Sequence, residues 1–87
     1  MQFEGALIKE QGVTFGVVVV KSHVLSNHVE ADALIASFQN QIFVGHPVVL
    51  MAQDSRGIPT YYGRKDIAAF LAHVSIASIA WKKYTVN

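Results

Sequence analysis

The side chains that could do chemistry are densest at Tyr61-Tyr62-Gly63-Arg64-Lys65-Asp66. Arginine and lysine donate charge-assisted hydrogen bonds to anions, and the first turn of a helix offers free N–H groups to the same ligand. Asp66 falls where a carboxylate favours the helix dipole, so the run reads as a strand passing into a helix start. Tyr62, Gly63, Arg64, Lys65 and Asp66 are therefore the candidate ligand-binding residues, and the ligand they imply is anionic. The plainer alternative is that Arg64 and Lys65 are solvated first-turn side chains.

Other arrangements carry less. The four histidines are His23, His28, His46 and His73. They match no metal-binding spacing such as HExxH, and without cysteine no thiolate site is possible, so no metal or other cofactor is expected. There is no GxSxG nucleophile motif. Ser22 and His23 are neighbours whose side chains diverge on an extended chain. Glu30 and Asp32 are two apart and do not face each other on a helix. Gly5, Gly12 and Gly16 are scattered and make no phosphate loop. No catalytic residue is assigned, and enzyme activity is not the expectation.

The chain that must position these residues has 87 positions, 52% of them hydrophobic and 15% charged, with a net charge of +1. That is one domain, 1–87, and too apolar for disorder. Charged residues are scarce against an average of about 25%. Too few are present to cover a small monomer, which points to a second surface covering apolar residues, as in a homodimer or higher oligomer. The stretch Ile67–Trp81 is flanked by basic residues but is too short to span a bilayer, which needs about 20 apolar residues. The sequence opens with Glu4 before any apolar run, so no secretory signal is read. Together with the lack of cysteine this gives a cytoplasmic expectation, with no membrane partner.

Residues 3–9 and 13–20 read as strands joined by Gln11-Gly12, the second β-branched on both faces as in a central strand covered on both sides. Asn27 caps a helix, with Glu30 three residues on, and Ala31, Leu34, Ile35, Phe38 and Ile42 form its apolar face. Val48–Ala52 is a strand, Asp54–Gly57 a turn and Ile58–Tyr62 the return strand, with Pro59 placing it at an edge or opening it. A second helix starts near Gly63, with Ile67, Phe70, Leu71 and Val74 on its stripe. Ile79–Val86 closes as a strand.

The order β-β-α-β-β-α-β predicts an α+β two-layer sandwich: a mostly antiparallel sheet with both helices on one face. The opposite face, apolar through Val13–Val20 and Val48–Ala52, is then left for a second copy to cover. The two halves, 1–43 and 44–87, look faintly alike as ββα units: Leu7–Val13 is echoed by Leu50–Asp54 and then Gly57-Ile58.

Charge divides between the halves. Residues 1–43 hold two lysines against four acids, net −2, and residues 44–87 hold five basic residues against two acids, net +3. Arg56, Arg64, Lys65, Lys82 and Lys83 share the second half with Tyr61, Tyr62, Trp81 and Tyr84. Such interleaving suits nucleic acid, though a pI near 8.1 is modest for that class. The acidic half of one subunit could equally meet the basic half of another.

Residues 30–72 also show Ala31-Asp32-Ala33-Leu34, then Pro47-Val48-Val49, Asp54-Ser55-Arg56-Gly57 and Arg64-Lys65-Asp66-Ile67. In that order these resemble one repeat of a CBS (Bateman-type) module. The resemblance implies adenosyl-nucleotide binding, with Asp66 as the residue that contacts ribose, and a second repeat supplied by a dimer. The family's threonine three residues before that aspartate is Gly63 here.

Overall fold

The computed structural model describes residues 2–86. Strands β1 (Gln2–Glu10) and β2 (Val13–Val19) form a hairpin. Its two-residue turn places Gln11 at φ 51° and Gly12 at φ 80°. Both central residues are left-handed, the backbone that matches the twist of the flanking strands.

After β2 come a single helical turn, α1 (Ser22–Leu25), which the sequence reading lacks, and α2 (His28–Gln41). Asn27 caps α2 as its sequence predicts, its side chain accepting the Glu30 N–H at 3.2 Å. Beyond α2, Gly45 at φ 82° and Pro47 turn the chain into β3 (Val48–Gln53), which lies parallel to β2. Gln39 Oε1 accepts the Val48 N–H at 3.0 Å and ties the end of α2 to the start of β3.

The turn after β3 is built on Asp54. Its Oδ1 accepts the N–H groups of Arg56 at 2.8 Å and Ile58 at 2.9 Å. Strand β4 (Pro59–Tyr62) follows, and Pro59 is both its first residue and part of an edge strand, where a missing donor breaks no ladder. Helix α3 (Lys65–Leu71) starts two residues after the expected start near Gly63, and Val74 of its stripe lies beyond its end.

A 3-10 turn at Ile76–Ser78 precedes β5 (Lys82–Thr85), which is shorter than the Ile79–Val86 expectation. Trp81 explains the shortening. Its N–H bonds Ile79 O at 2.9 Å and its indole Nε1 bonds Ile76 O at 3.1 Å, so Ile79–Trp81 curls back on itself instead of joining the sheet.

The sheet order is β4-β3-β2-β1-β5, with three antiparallel pairings and one parallel, β2 with β3. The α+β class and the mostly antiparallel sheet are as the sequence predicts. The placement of the helices is not. Side chains alternate between faces along a strand. Val18, Val48 and Leu50 face Ala31 and Phe38 of α2, while Val17, Val49 and Met51 face Ile67 and Leu71 of α3. The helices therefore lie on opposite faces, and the molecule has three layers.

This overturns the expectation of a sheet face left bare for a second copy. Strands apolar on both faces need two covers, and the chain supplies both: Val17, Val18, Val48, Val49, Leu50, Met51 and Ala52 are each at most 2% exposed. Gly16 belongs to the same packing. A Cβ there would sit 2.9 Å from the Phe43 ring, so only glycine lets Phe43 lie on β2.

No helix among the described residues is long and apolar enough to cross a membrane.

Candidate functional site

The β4–α3 connection gathers the five residues singled out by sequence but divides their roles. Tyr62 ends β4 on the α2 side of the sheet. Its hydroxyl donates to Asp32 Oδ1 at 2.8 Å, and the His28 ring stacks on its ring at 4.8 Å and 27°. The hydrogen bond to the Asp32 carboxylate holds the Tyr62 hydroxyl above its ordinary pKa, because only the neutral phenol can donate. His28 and Asp32 are four apart and share one face of α2. Sequence reasoning missed them because Tyr62 lies 30 positions away; only the packing of α2 over the sheet joins the three.

Gly63 carries the chain away from β4 toward α3. A Cβ there would lie 3.0 Å from Val49 Cγ2 and 3.2 Å from Val48 O, so glycine answers to the close approach of β3. Arg64 is the N-cap residue of α3 but makes no side-chain capping bond. Its guanidinium instead grips Asp66 in a bidentate pair, Nε to Oδ1 and Nη2 to Oδ2, both 2.8 Å. Asp66 Oδ1 also accepts the Ile67 N–H at 3.0 Å. Arg64 lowers the Asp66 pKa, and Asp66 raises that of Arg64. Lys65 makes no ion pair among the described residues.

An open groove of about 440 Å³ runs between α2 and this connection, past Asp32, Gln39, Tyr62, Arg64 and Lys65. It borders a depression of about 450 Å³ beside Asn40 and His46, with Gln39, Pro47 and Arg64 shared between the two. Its walls mix carboxylate and cation, and its arginine is neutralised by Asp66.

The five basic residues do not form one surface. Arg56, Arg64 and Lys65 lie by β4, whereas Lys82 and Lys83 lie on β5, at the opposite edge of the sheet. Lys83 stands opposite Glu4, and Lys82 Nζ sits 5.8 Å from the Tyr84 ring centroid. The aromatics pack within the fold: Tyr84 stacks on Phe3 at 4.9 Å and 3°, and Tyr61 and Trp81 pack against the α3-side core. Among the described residues no three His, Asp or Glu side chains converge to hold a metal ion.

A second region has a different character. Strand β1 is nine residues long, and β5 pairs only with Gln2–Gly5. Among the described residues no strand pairs with the outer edge of Ala6–Glu10. Leu7 on this stretch is 52% exposed. A depression of about 390 Å³ runs alongside, floored by Leu7 and Ile8 and walled by Phe70, Val74 and Ile79. Unpaired backbone beside apolar surface is what an added strand fits. Among the described residues the other large exposed apolar side chains, Val13, Val29, Val44 and Ile58, are distributed over the hairpin, α2 and two loops.

Comparison with protein-family models, with curated proteins and with solved structures yields no match.

Proposed function

We propose that this protein is a small homo-oligomeric interaction module of the cytoplasm, acting by binding rather than by catalysis. The observation that carries the reading is the open half of β1, an unpaired backbone edge with exposed Leu7 and an apolar groove beside it. An exposed edge of this kind offers a ladder of main-chain hydrogen bonds to a partner chain. Sedimentation equilibrium of the full chain is the test, with dimer expected at micromolar concentration. A single monomeric species up to hundreds of micromolar overturns the proposal.

A second reading takes the groove between α2 and the β4–α3 connection as an anionic-ligand site, with Tyr62, Arg64 and Lys65 as its contacts. What favours it is their common frontage on one cleft, and the order helix, strand, Asp-turn, strand, helix start of the CBS-type resemblance. It requires Arg64 to exchange Asp66 for the ligand. A rise in melting temperature with adenine nucleotides, abolished by Arg64→Ala, supports it; no shift across a nucleotide panel removes it.

A further inference from the structure

We infer that two copies pair antiparallel through the outer edge of β1, about a two-fold axis at Ile8, joining two five-stranded sheets into one of ten. This rests on the reading that the chain self-associates and assigns the surface that does it.

The free stretch is Ala6-Leu7-Ile8-Lys9-Glu10, and its ends fix the register. A two-fold axis perpendicular to the sheet keeps each residue on its own face, so the axis must pass through a residue position. At Ala6 it would set Leu7, and at Leu7 it would set Lys9, against the partner's Gly5, whose outer side is already taken by Lys82 of its own β5. At Lys9 or Glu10 it would set a charge directly against its own copy, which is destabilising between paired strands.

Ile8 is the one position free of both conflicts. Ile8 then faces the partner's Ile8, Leu7 faces the partner's Lys9, and Ala6 faces the partner's Glu10. No like charges stand opposite one another.

Each face gains something in this register. Ile8 packs with the α3-side core, so the two Ile8 side chains meet between the Phe70, Val74 and Ile79 walls of the two copies. On the other face the half-exposed Leu7 is covered by the methylene stem of the partner's Lys9. The free backbone groups of Ala6–Glu10 gain ladder partners. The curl at Trp81 that ends β5 at Lys82 leaves this edge open.

The register makes the test a charge exchange. Leu7→Lys places a lysine opposite the partner's Lys9 twice per dimer and should weaken dimerisation about tenfold or more. Leu7→Lys combined with Lys9→Glu puts opposite charges in the same places and should restore the dimer. Because the chain has no cysteine, Ile8→Cys supplies a single thiol. Opposed residues in an antiparallel pair have Cα atoms about 4.5–5.5 Å apart, within disulfide reach. Mild oxidation should therefore give a covalent dimer for Ile8→Cys and none for Val29→Cys, on the exposed start of α2.

A wild-type dimer that Leu7→Lys does not weaken, and that Ile8→Cys does not cross-link, places the interface elsewhere. That outcome overturns this assignment and leaves self-association standing. A monomeric wild type overturns both. Should Ile8→Cys fail to fold, as judged by circular dichroism, the charge exchange at exposed Leu7 still decides.

Discussion

Tyr61 and Tyr62 are neighbours on β4 and point to opposite faces of the sheet, which makes them probes of the two layers. Tyr62 enters the α2 layer and finds a partner: its hydroxyl bonds Asp32 and its ring stacks on His28. Tyr61 enters the α3 layer, where its hydroxyl is buried with no hydrogen-bond partner among the described residues. The helices differ in the same sense. Helix α2 has 14 residues, a side-chain cap and a set of edge-to-face rings beneath it, with Phe3 to Phe38 at 4.9 Å and Phe43 to Tyr84 at 5.4 Å. Helix α3 has seven residues, no side-chain cap and a 3-10 turn behind it. The α2 layer is tied to the sheet by a side-chain hydrogen bond and a cluster of rings as well as by burial; the α3 layer has a single, wider ring pair, Phe15 to Phe70 at 6.4 Å and 79°, and rests mainly on burial.

Truncating each layer's core gives the largest effects. Phe38→Ala removes a ring from the α2-side aromatic cluster, and Leu71→Ala empties a fully buried site under α3. Losses of about 4 and about 3 kcal/mol are expected, measured by urea unfolding. If Leu71→Ala costs more than Phe38→Ala, the α3 layer is not the weaker one.

The tyrosines sharpen the contrast because their responses should differ in sign. Tyr61→Phe deletes a buried hydroxyl that has no partner and should stabilise the chain by up to about 1 kcal/mol. Tyr62→Phe deletes a bonded hydroxyl and should destabilise the chain slightly. Equal losses for both would mean that the Tyr61 hydroxyl is satisfied in solution.

Much of the architecture was legible because local chemistry dictates it. Asn27 three residues before Glu30, Asp54 before Gly57, and Pro59 at the head of a strand each have a side-chain or backbone reason independent of the rest of the chain. The face taken by α3 has no such local signature. Ile67 and Leu71 form the same stripe whichever face receives them, and only the two-sided apolar character of β2 and β3 demands the second cover. The ligand-site residues divide similarly. The run 62–66 is visible as a cluster, and the engagement of Arg64 by Asp66 is a local contact two residues apart, but that of Tyr62 by an aspartate 30 positions upstream depends on tertiary geometry.

The two helix starts give a smaller difference. Asn27→Ala removes a cap that bonds an otherwise free N–H and should cost about 1 kcal/mol. Arg64→Ala breaks only an exposed ion pair and should cost clearly less than the loss of the cap. A loss at Arg64 as large as that at Asn27 would show that the Arg64–Asp66 pair does a cap's work for α3.

The smallest effect concerns alkaline pH. Both tyrosines have raised pKa values, Tyr62 chiefly through its bond to Asp32 and Tyr61 through burial. A group whose folded pKa exceeds its unfolded one, near 10 for tyrosine, stabilises fully below the unfolded value and loses that contribution as pH rises through the folded value. Stability should therefore hold to about pH 10 and fall above it. Tyr62→Phe removes a phenol that must give up its Asp32 bond on ionising, and Tyr61→Phe removes one that must ionise in an apolar layer. Each variant should flatten the alkaline decline relative to wild type, in urea midpoints measured from pH 8 to 11. A decline unchanged in both variants would trace the loss to lysine deprotonation, and would leave the tyrosines' opposite responses at neutral pH as the measure of how the two layers differ.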